Sequence, residues 1–517
     1  MSVPNQGEPP QERRTVATSL NVPGMTLDSA TGAPTSTTAP KRFRTRHLSM
    51  MALGSAIGAG FFLGTGVAIS EAGPAVLVSY ALAALIAVSV MFALSELASA
   101  LPSTGSFSTY AEVGIGRWAG FASGWLYWAM LIMVLGMEIT GAAGIFVQWF
   151  PSIPQWTVAL AIVIVLGGVN LMAARDFGEV ETWLAGIKVV AIILFLIIGI
   201  ALVFGLIPGR TEPVGHMIMG HGGLAPKGFA GIAIGLLAII TSFGGIEIVT
   251  IAAAEAEDAK SAMSAAIRSV IGRILVFYVG SVILLICLLP WDSEEMRKSP
   301  FAALLNMAGV PGVGRIMEAV VFIALISAFS ANVYASSRMA YSLSARGMGM
   351  RWLLGKNAGS LGRRVDAGAA VDHAEEIFDQ VAHSGEKGDI ALGRTPRRAG
   401  ATSIALALVS VALNWFLPET LLGILLNAIG MVLLIIWVFI LIAQVRLHPL
   451  LEEKGAISLR APGWPWLPRL VLLALVGVAG LMAWDPAARA QLISMTVLTI
   501  IVIALFFVKE AVENKLK

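Results

Sequence analysis

Glycine recurs at positions 54, 58, 60, 64 and 66 of GSAIGAGFFLGTG, inside a stretch apolar enough to cross a bilayer. Each glycine costs a helix interior about 1 kcal/mol relative to alanine. Lipid offers no water to a backbone that comes loose, so an interrupted helix survives there only when it is buried in protein or lines a cavity. A second interruption, Ser242-Phe243-Gly244-Gly245-Ile246-Glu247, falls in the middle of another apolar segment. A helix that stops inside the membrane leaves N–H groups at one end, which favour an anion, and carbonyls at the other, which favour a cation. An amino acid presents both charges. Ser55, Ala56, Gly58, Ala59 and Gly60 are therefore expected to offer backbone to a carboxylate. The carbonyls near Phe243, Gly244, Gly245 and Ile246 are expected to take an ammonium group, with the Phe243 ring closing the site. The same glycines could instead serve only close helix packing, but packing alone does not account for their placement in two corresponding spans.

Ionisable side chains inside a membrane are costly and mark functional sites by default. Lys188, within GIKVVAI, is the expected proton-coupling group; the alternative is a lysine that snorkels to the interface. Glu138 is expected to read a substrate amine or to pair with Lys188, and Glu247 to contact substrate or a proton. Glu318 reads as an interfacial or gate residue. Glu96, Asp176, Glu179, Glu181, Glu255, Glu257 and Asp258 are expected at span ends, paired with Arg175, Lys260 and Arg338. Ser327, Ser330, Tyr334 and Ser337 form a polar stripe, of which Ser330 is a candidate contact; such serines also bond their own helix.

These residues need a frame of spans. Of the 517 residues, 57% are hydrophobic and 13% charged, and mean hydropathy is +0.81. A soluble domain carries about 25% charged residues, so the chain reads as an all-α polytopic membrane protein in the lipid bilayer. Twelve segments have spanning length, near 47–71, 75–99, 119–147, 156–174, 182–206, 228–253, 270–290, 313–344, 400–417, 420–444, 465–484 and 490–509. With the N-terminus in the cytoplasm, six of the 35 Lys and Arg fall outside (Arg210, Lys227, Arg297, Lys298, Arg315, Arg489) and Lys188 within a span. The remainder lie inside, which obeys the positive-inside rule and places both termini in the cytoplasm. Their scatter over several loops argues against a nucleic-acid partner. Cys287, the single cysteine, sits in a span, and no pair of the six histidines has metal-ligand spacing within a predicted helix, so no metal or cofactor is expected. No P-loop, nucleophile elbow or HExxH motif occurs, so the chain is not expected to be an enzyme.

Residues 1–40, rich in Pro, Ser, Thr and Gly without an apolar h-region, read as an unstructured cytoplasmic tail rather than a cleaved signal. Residues 41–510 form the transmembrane domain and 511–517 a cytoplasmic end. The loop 346–399 contains an amphipathic pattern at 369–383, a helix expected to pack on the cytoplasmic face or to serve regulation. GWLYW (124–128), Pro-Trp-Asp (290–292) and Trp464-Pro465-Trp466 read as interfacial aromatics. The pattern specifies no oligomeric state.

RHLSMMALGSAIGAGFFLGTGVAISEAGP (46–74), SELASALPSTGSFSTYAEVGIGRWAGFASGWLYW (95–128), RDFGEVETWLAGIKVVAI (175–192) and SRMAYSLSARG (337–347) occur in order along the chain. Together they resemble the amino acid transporter family of the amino acid–polyamine–organocation superfamily. GIEIVTIAAAEAED (245–258) and RILVFYVGSVILLICLLPW (273–291) look most like 4-aminobutyrate (GABA) permeases. The resemblance implies a leucine-transporter-like fold of two inverted five-helix repeats plus two helices. It also implies proton-coupled import of an amino acid across a bacterial plasma membrane by alternating access, with Lys188 at the position of a replaced sodium site. GABA or a small neutral amino acid is the expected substrate, then proline, then an aromatic or cationic amino acid. An exchanger of the same fold and a non-transporting amino-acid sensor are the alternatives. The chain departs from the family at AEDAKSAMSAA (256–266), which lacks the usual prolines, and at SANVYASSRM (330–339), which helps shape the side-chain pocket.

Overall fold

The structure, a computed structural model, describes residues 25–27, 34–36, 57–101, 106–172, 177–209, 212–245, 247, 259–357, 397–418, 420–484 and 486–516. Met1–Arg42 and Phe43–Lys517 are separate compact units. In the first, β1 (Met25–Leu27) pairs antiparallel with β2 (Pro34–Ser36). The remainder of the expected tail lies outside the described residues, as does the 369–383 pattern.

Among the described residues, the second unit's regular elements are all helices. The first apolar segment holds α1 (Ala59–Phe62) and α2 (Gly64–Ala72). Gly73, at φ +62°, and Pro74 then turn the chain into α3 (Val76–Ala100), since glycine tolerates positive φ and proline is preset for a first helical turn. Next come α4 (Ser106–Gly114), α5 (Arg117–Trp149), α6 (Gln155–Met172), α7 (Phe177–Val203), the short α8 (Val214–Met219) and α9 (Gly228–Phe243). The chain continues through α10 (Ala259–Arg273), a π-turn at Ile274–Val279 and α11 (Gly280–Leu288), then the short α12 (Glu294–Lys298) and α13 (Pro300–Asn306). It ends with α14 (Val313–Ala345), α15 (Arg397–Phe416), α16 (Leu421–Glu453), α17 (Trp466–Trp484) and α18 (Pro486–Leu516).

Nine of these helical stretches are long and apolar enough to cross a membrane, and Gln155–Leu171 and Gly228–Phe243 are shorter apolar helices. Ala59–Ala100, counted among the nine, carries two predicted segments around its Gly73-Pro74 turn. Each of the twelve predicted segments thus has a helical counterpart. α2, α3 and α16 pack around α9, while α5 lies between α14 and α16. The bundle's aromatic interior includes Tyr80, Phe243, Tyr278, Phe61 and Phe301, all fully buried or nearly so. Helix α18, by contrast, leaves Ile500, Ile501, Leu505 and Val508 exposed; in a membrane protein, that apolar surface faces lipid.

Glu96, expected at a span end among carboxylates paired with Arg175, Lys260 and Arg338, is fully buried and takes other partners. One carboxylate oxygen accepts from Gln444 Nε2 (3.0 Å) and bonds His448 Nδ1 (2.7 Å), and the other accepts from the Ala461 N–H (2.7 Å). This single carboxylate fastens α3 to α16 and to the turn before α17, where Trp464 stacks on His448 at 3.7 Å between ring centroids. A buried donor deprived of its acceptor costs about 1–3 kcal/mol. Glu96→Ala is therefore expected to destabilise the folded protein by at least about 3 kcal/mol over its orphaned partners, read as a lower Tm in detergent. Glu96→Gln, which keeps an acceptor, should lose less.

Candidate binding site

Gly58 is in extended conformation (φ −133°, ψ −151°), and helix begins only at Ala59. The Ala59 N–H, which helix geometry leaves without an intrahelical acceptor, donates to both carboxylate oxygens of Glu138, at 3.2 and 3.1 Å. Glu138 is itself 3% exposed, projecting from the middle of α5. Lys188, on α7, is fully buried and close enough for its charge to act on Glu138. A lysine buried in this way does not snorkel to the interface.

In the other segment α9 stops at Phe243, and Gly245 takes φ +96°, a backbone conformation that side chains disfavour. Its N–H donates to Glu247 Oε2 (3.0 Å), while Trp437 Nε1 of α16 donates to Oε1 (2.7 Å). Glu247 is fully buried, with both oxygens engaged. The two interruptions touch directly. Ser242 Oγ donates to the Gly60 carbonyl, and the Ser242 carbonyl accepts from Tyr278 OH (2.9 Å). A Cβ on Gly60 would meet the Ser242 Cα at 3.0 Å, so the approach depends on glycine there.

Between them lies a narrow cavity of about 30 Å³. It is lined by Gly58, Gly60, Glu138, Gly244 and Gly245 at the interruptions, and Thr241, Asn332 and Tyr127 add further polar groups. Apolar side chains complete the lining, Met130, Leu131, Val134 and Met137 from α5 and Ile429 and Leu433 from α16.

The predicted residues separate accordingly. Gly58, Gly60, Glu138, Gly244 and Gly245 come together around the cavity; Ser55, Ala56 and Ile246 lie outside the described residues. Ala59 is buried at the same place and holds Glu138. Phe243, expected to close the site, is packed instead against Tyr278 and Tyr80, at 5.2 and 6.1 Å between ring centroids, and is absent from the cavity wall. Glu247 is spent on the interruption itself, and Ser330 accepts from Asn170 Nδ2 (3.1 Å) between helices. Ser337 bonds its own helix at Tyr334 O, 2.8 Å away. Glu318 accepts from Trp149 Nε1 (2.7 Å) and lines a second, smaller cavity of about 10 Å³ with Phe62, Leu63 and Pro300. The expected charge pairs at Asp176, Glu255, Glu257 and Asp258 fall outside the described residues.

Tyr127 was hidden in GWLYW, which reads as an interfacial belt. Trp125 and Trp128 are half-buried, but Tyr127 is fully buried and faces the cavity. The available signal was its position on α5, three helical turns before Glu138 and so on a similar face. Asn332 was passed over in SANVYASSRM in favour of the serines beside it.

A Cβ on Gly58 would collide with Glu138 Oε1 and come within 3.0 Å of the Ala328 Cβ. Gly58→Ala is expected to weaken ligand binding by at least about tenfold, or 1.4 kcal/mol, with Tm changed far less than by Glu96→Ala. Equilibrium binding to purified protein checks this.

The sequence that builds this site has counterparts among known proteins. A model of the amino acid permease family matches residues 47–356 and 390–517. The chain is 44% identical over 470 residues to the aromatic amino acid transport protein AroP of Corynebacterium glutamicum, covering 90% of this chain and 94% of that protein. It is 36% identical over 480 residues to the gamma-aminobutyric acid permease of Bacillus subtilis, covering 92% and 95%. Identity to the gamma-aminobutyric acid permease of Escherichia coli is 35% over 459 residues, covering 88% and 91%.

Proposed function

The chain belongs to the amino acid permease family, and we propose that it imports a neutral amino acid with an apolar side chain, aromatic ones included, in company with a proton. As a member of that family it is a multi-pass membrane transporter of amino acids and not an enzyme. The observation that carries the substrate reading is the cavity's lining, divided between polar groups at the interruptions (Gly58, Gly60, Glu138, Gly244, Gly245) and apolar side chains of α5 and α16 (Met130, Leu131, Val134, Met137, Ile429, Leu433). An α-amino acid carries its two charges on neighbouring atoms and its side chain apart from them, which matches such a division. The aromatic carrier's 44% identity supports the same choice.

A second reading is 4-aminobutyrate, the substrate expected from sequence. The two gamma-aminobutyric acid permeases favour it. Its ammonium and carboxylate stand at opposite ends of a short chain, however, so it would leave the apolar wall without a partner. Counterflow of labelled phenylalanine in proteoliposomes separates the two. We expect phenylalanine, tyrosine and leucine to compete, with 4-aminobutyrate weak or inert. Competition by 4-aminobutyrate alone would overturn the substrate reading.

In the proposed cycle, the substrate carboxylate takes the N–H groups at Gly58–Gly60 and its ammonium approaches the carbonyls around Gly244. The Ala59 N–H is already held by Glu138, so the substrate can gain it only as Glu138 yields. Lys188 shares the field of Glu138, and a proton gained or lost at this buried pair changes how strongly the carboxylate holds the helix start. Substrate entry and proton movement are thereby linked. Alternating access exposes the pair to each side of a bacterial plasma membrane in turn, with both termini cytoplasmic.

Lys188→Ala is expected to abolish accumulation driven by a proton gradient while retaining counterflow. Full accumulation in that variant would remove the proton role, and accumulation by wild type with the gradient collapsed would favour an exchanger. Ligand binding without flux would identify a sensor.

A further inference from the structure

The segment between α7 and α9 carries three side chains that the transport site does not use. Glu212 lies just before α8, His216 within it and His221 just after it. Glu212 Oε2 is 2.6 Å from His216 Nδ1 and 3.9 Å from His221 Nε2, and one ligand atom from each residue falls within 4.8 Å of the others. Their spacing, four and five residues apart, bridges a short helix and a turn, so it does not read as a pair on one predicted helix.

His221 is held from several directions. Its Nδ1 lies 3.7 Å from Asp292 Oδ1, and its backbone carbonyl accepts from Trp291 Nε1 at 2.7 Å. Its Nε2 is buried and has no hydrogen-bond partner among the described residues. A carboxylate close to one ring nitrogen, within a small shift of a hydrogen bond, and a second nitrogen without a hydrogen-bond partner dispose the ring as in metal-bound histidines. Two imidazole nitrogens and one carboxylate oxygen suit first-row divalent ions such as Zn²⁺, leaving a fourth position for water. Calcium and magnesium prefer oxygen donors throughout.

We propose that Glu212, His216 and His221 form a binding site for one divalent transition-metal ion of the Zn²⁺ class, oriented by Asp292, and that its occupancy slows transport. The mechanical reason lies in what the segment is tied to. Lys227 bonds Glu71 (2.8 Å) near the end of α2, and the Ala75 N–H donates to the Leu224 carbonyl (2.7 Å) just beyond it. Asp292 leads into α12, which packs on α2. α2 continues from the helix start that lines the cavity. A metal ion drawing the three ligands together stiffens a strap fastened to the far end of that helix, and so resists its movement.

The test uses full-length, tag-free protein in detergent and in proteoliposomes. Calorimetric titration with Zn²⁺ should give about one equivalent per chain, and Co²⁺ should acquire the visible absorption of a four-coordinate N/O site. Both signals should vanish in His216→Ala/His221→Ala, while Asp292→Asn should weaken Zn²⁺ binding about tenfold. Zn²⁺ should slow counterflow in wild type, reversibly with EDTA, and leave the double variant unaffected. Absent binding, or equal binding by wild type and the double variant, overturns the site. Stoichiometric binding with unchanged counterflow overturns its control of transport. Because the binding measurements need no amino acid, their failure is distinct from an error in the proposed substrate.

Discussion

Two backbone N–H groups stand where apolar helices start or stop, and each is held by a buried carboxylate: Ala59 by Glu138 and Gly245 by Glu247. In hydrocarbon an unsatisfied backbone group costs several kcal/mol, so interruptions at these points require such partners. Glu138 comes from α5, and Glu247 is secured in turn by Trp437 from α16. The acceptors thereby fix where those two helices sit relative to the interruptions. Ser242, bonded to Gly60 and Tyr278, fastens the interruptions to one another. The cavity is the space these bonds leave between them.

The two carboxylates have unequal freedom. Glu247 lies outside the cavity wall, with both oxygens engaged by donors from its own turn and from Trp437. That arrangement is structural. Glu138 lies on the wall, bonded through both oxygens to a single N–H and within the field of Lys188. One donor can be exchanged more readily than two. In the proposed mechanism, Glu138 is therefore the carboxylate that gives way, because it holds the N–H that the substrate carboxylate needs.

Much of this was legible in the sequence, for reasons that are local. Twelve apolar segments follow from length and hydropathy, and Gly73-Pro74 marks the turn between the first two. Glycine runs at 54–66 and 244–245 announce where regular helix fails, Gly60 because another backbone approaches closely and Gly245 because it takes a positive φ. Side-chain partners are another matter. Phe243 and Tyr127 are aromatic residues near predicted span features, and only the packing of α9 against Tyr80 and Tyr278 sends one away from the cavity while the position of α5 turns the other toward it. Glu96 finds its partners some 350 residues away, on α16 and the following turn. Glu212, His216 and His221 converge through a short helix that hydropathy does not reveal.

The central claim is that Glu138 and the substrate carboxylate compete for the same helix start. An experimental structure with bound phenylalanine tests it most directly. The account predicts the ligand's carboxylate on the N–H groups of Gly58–Gly60, its ring against Met130, Met137 and Leu433, and the Glu138 carboxylate moved off the Ala59 N–H. A ligand lodged elsewhere, with Glu138 still bonded to Ala59, would contradict it.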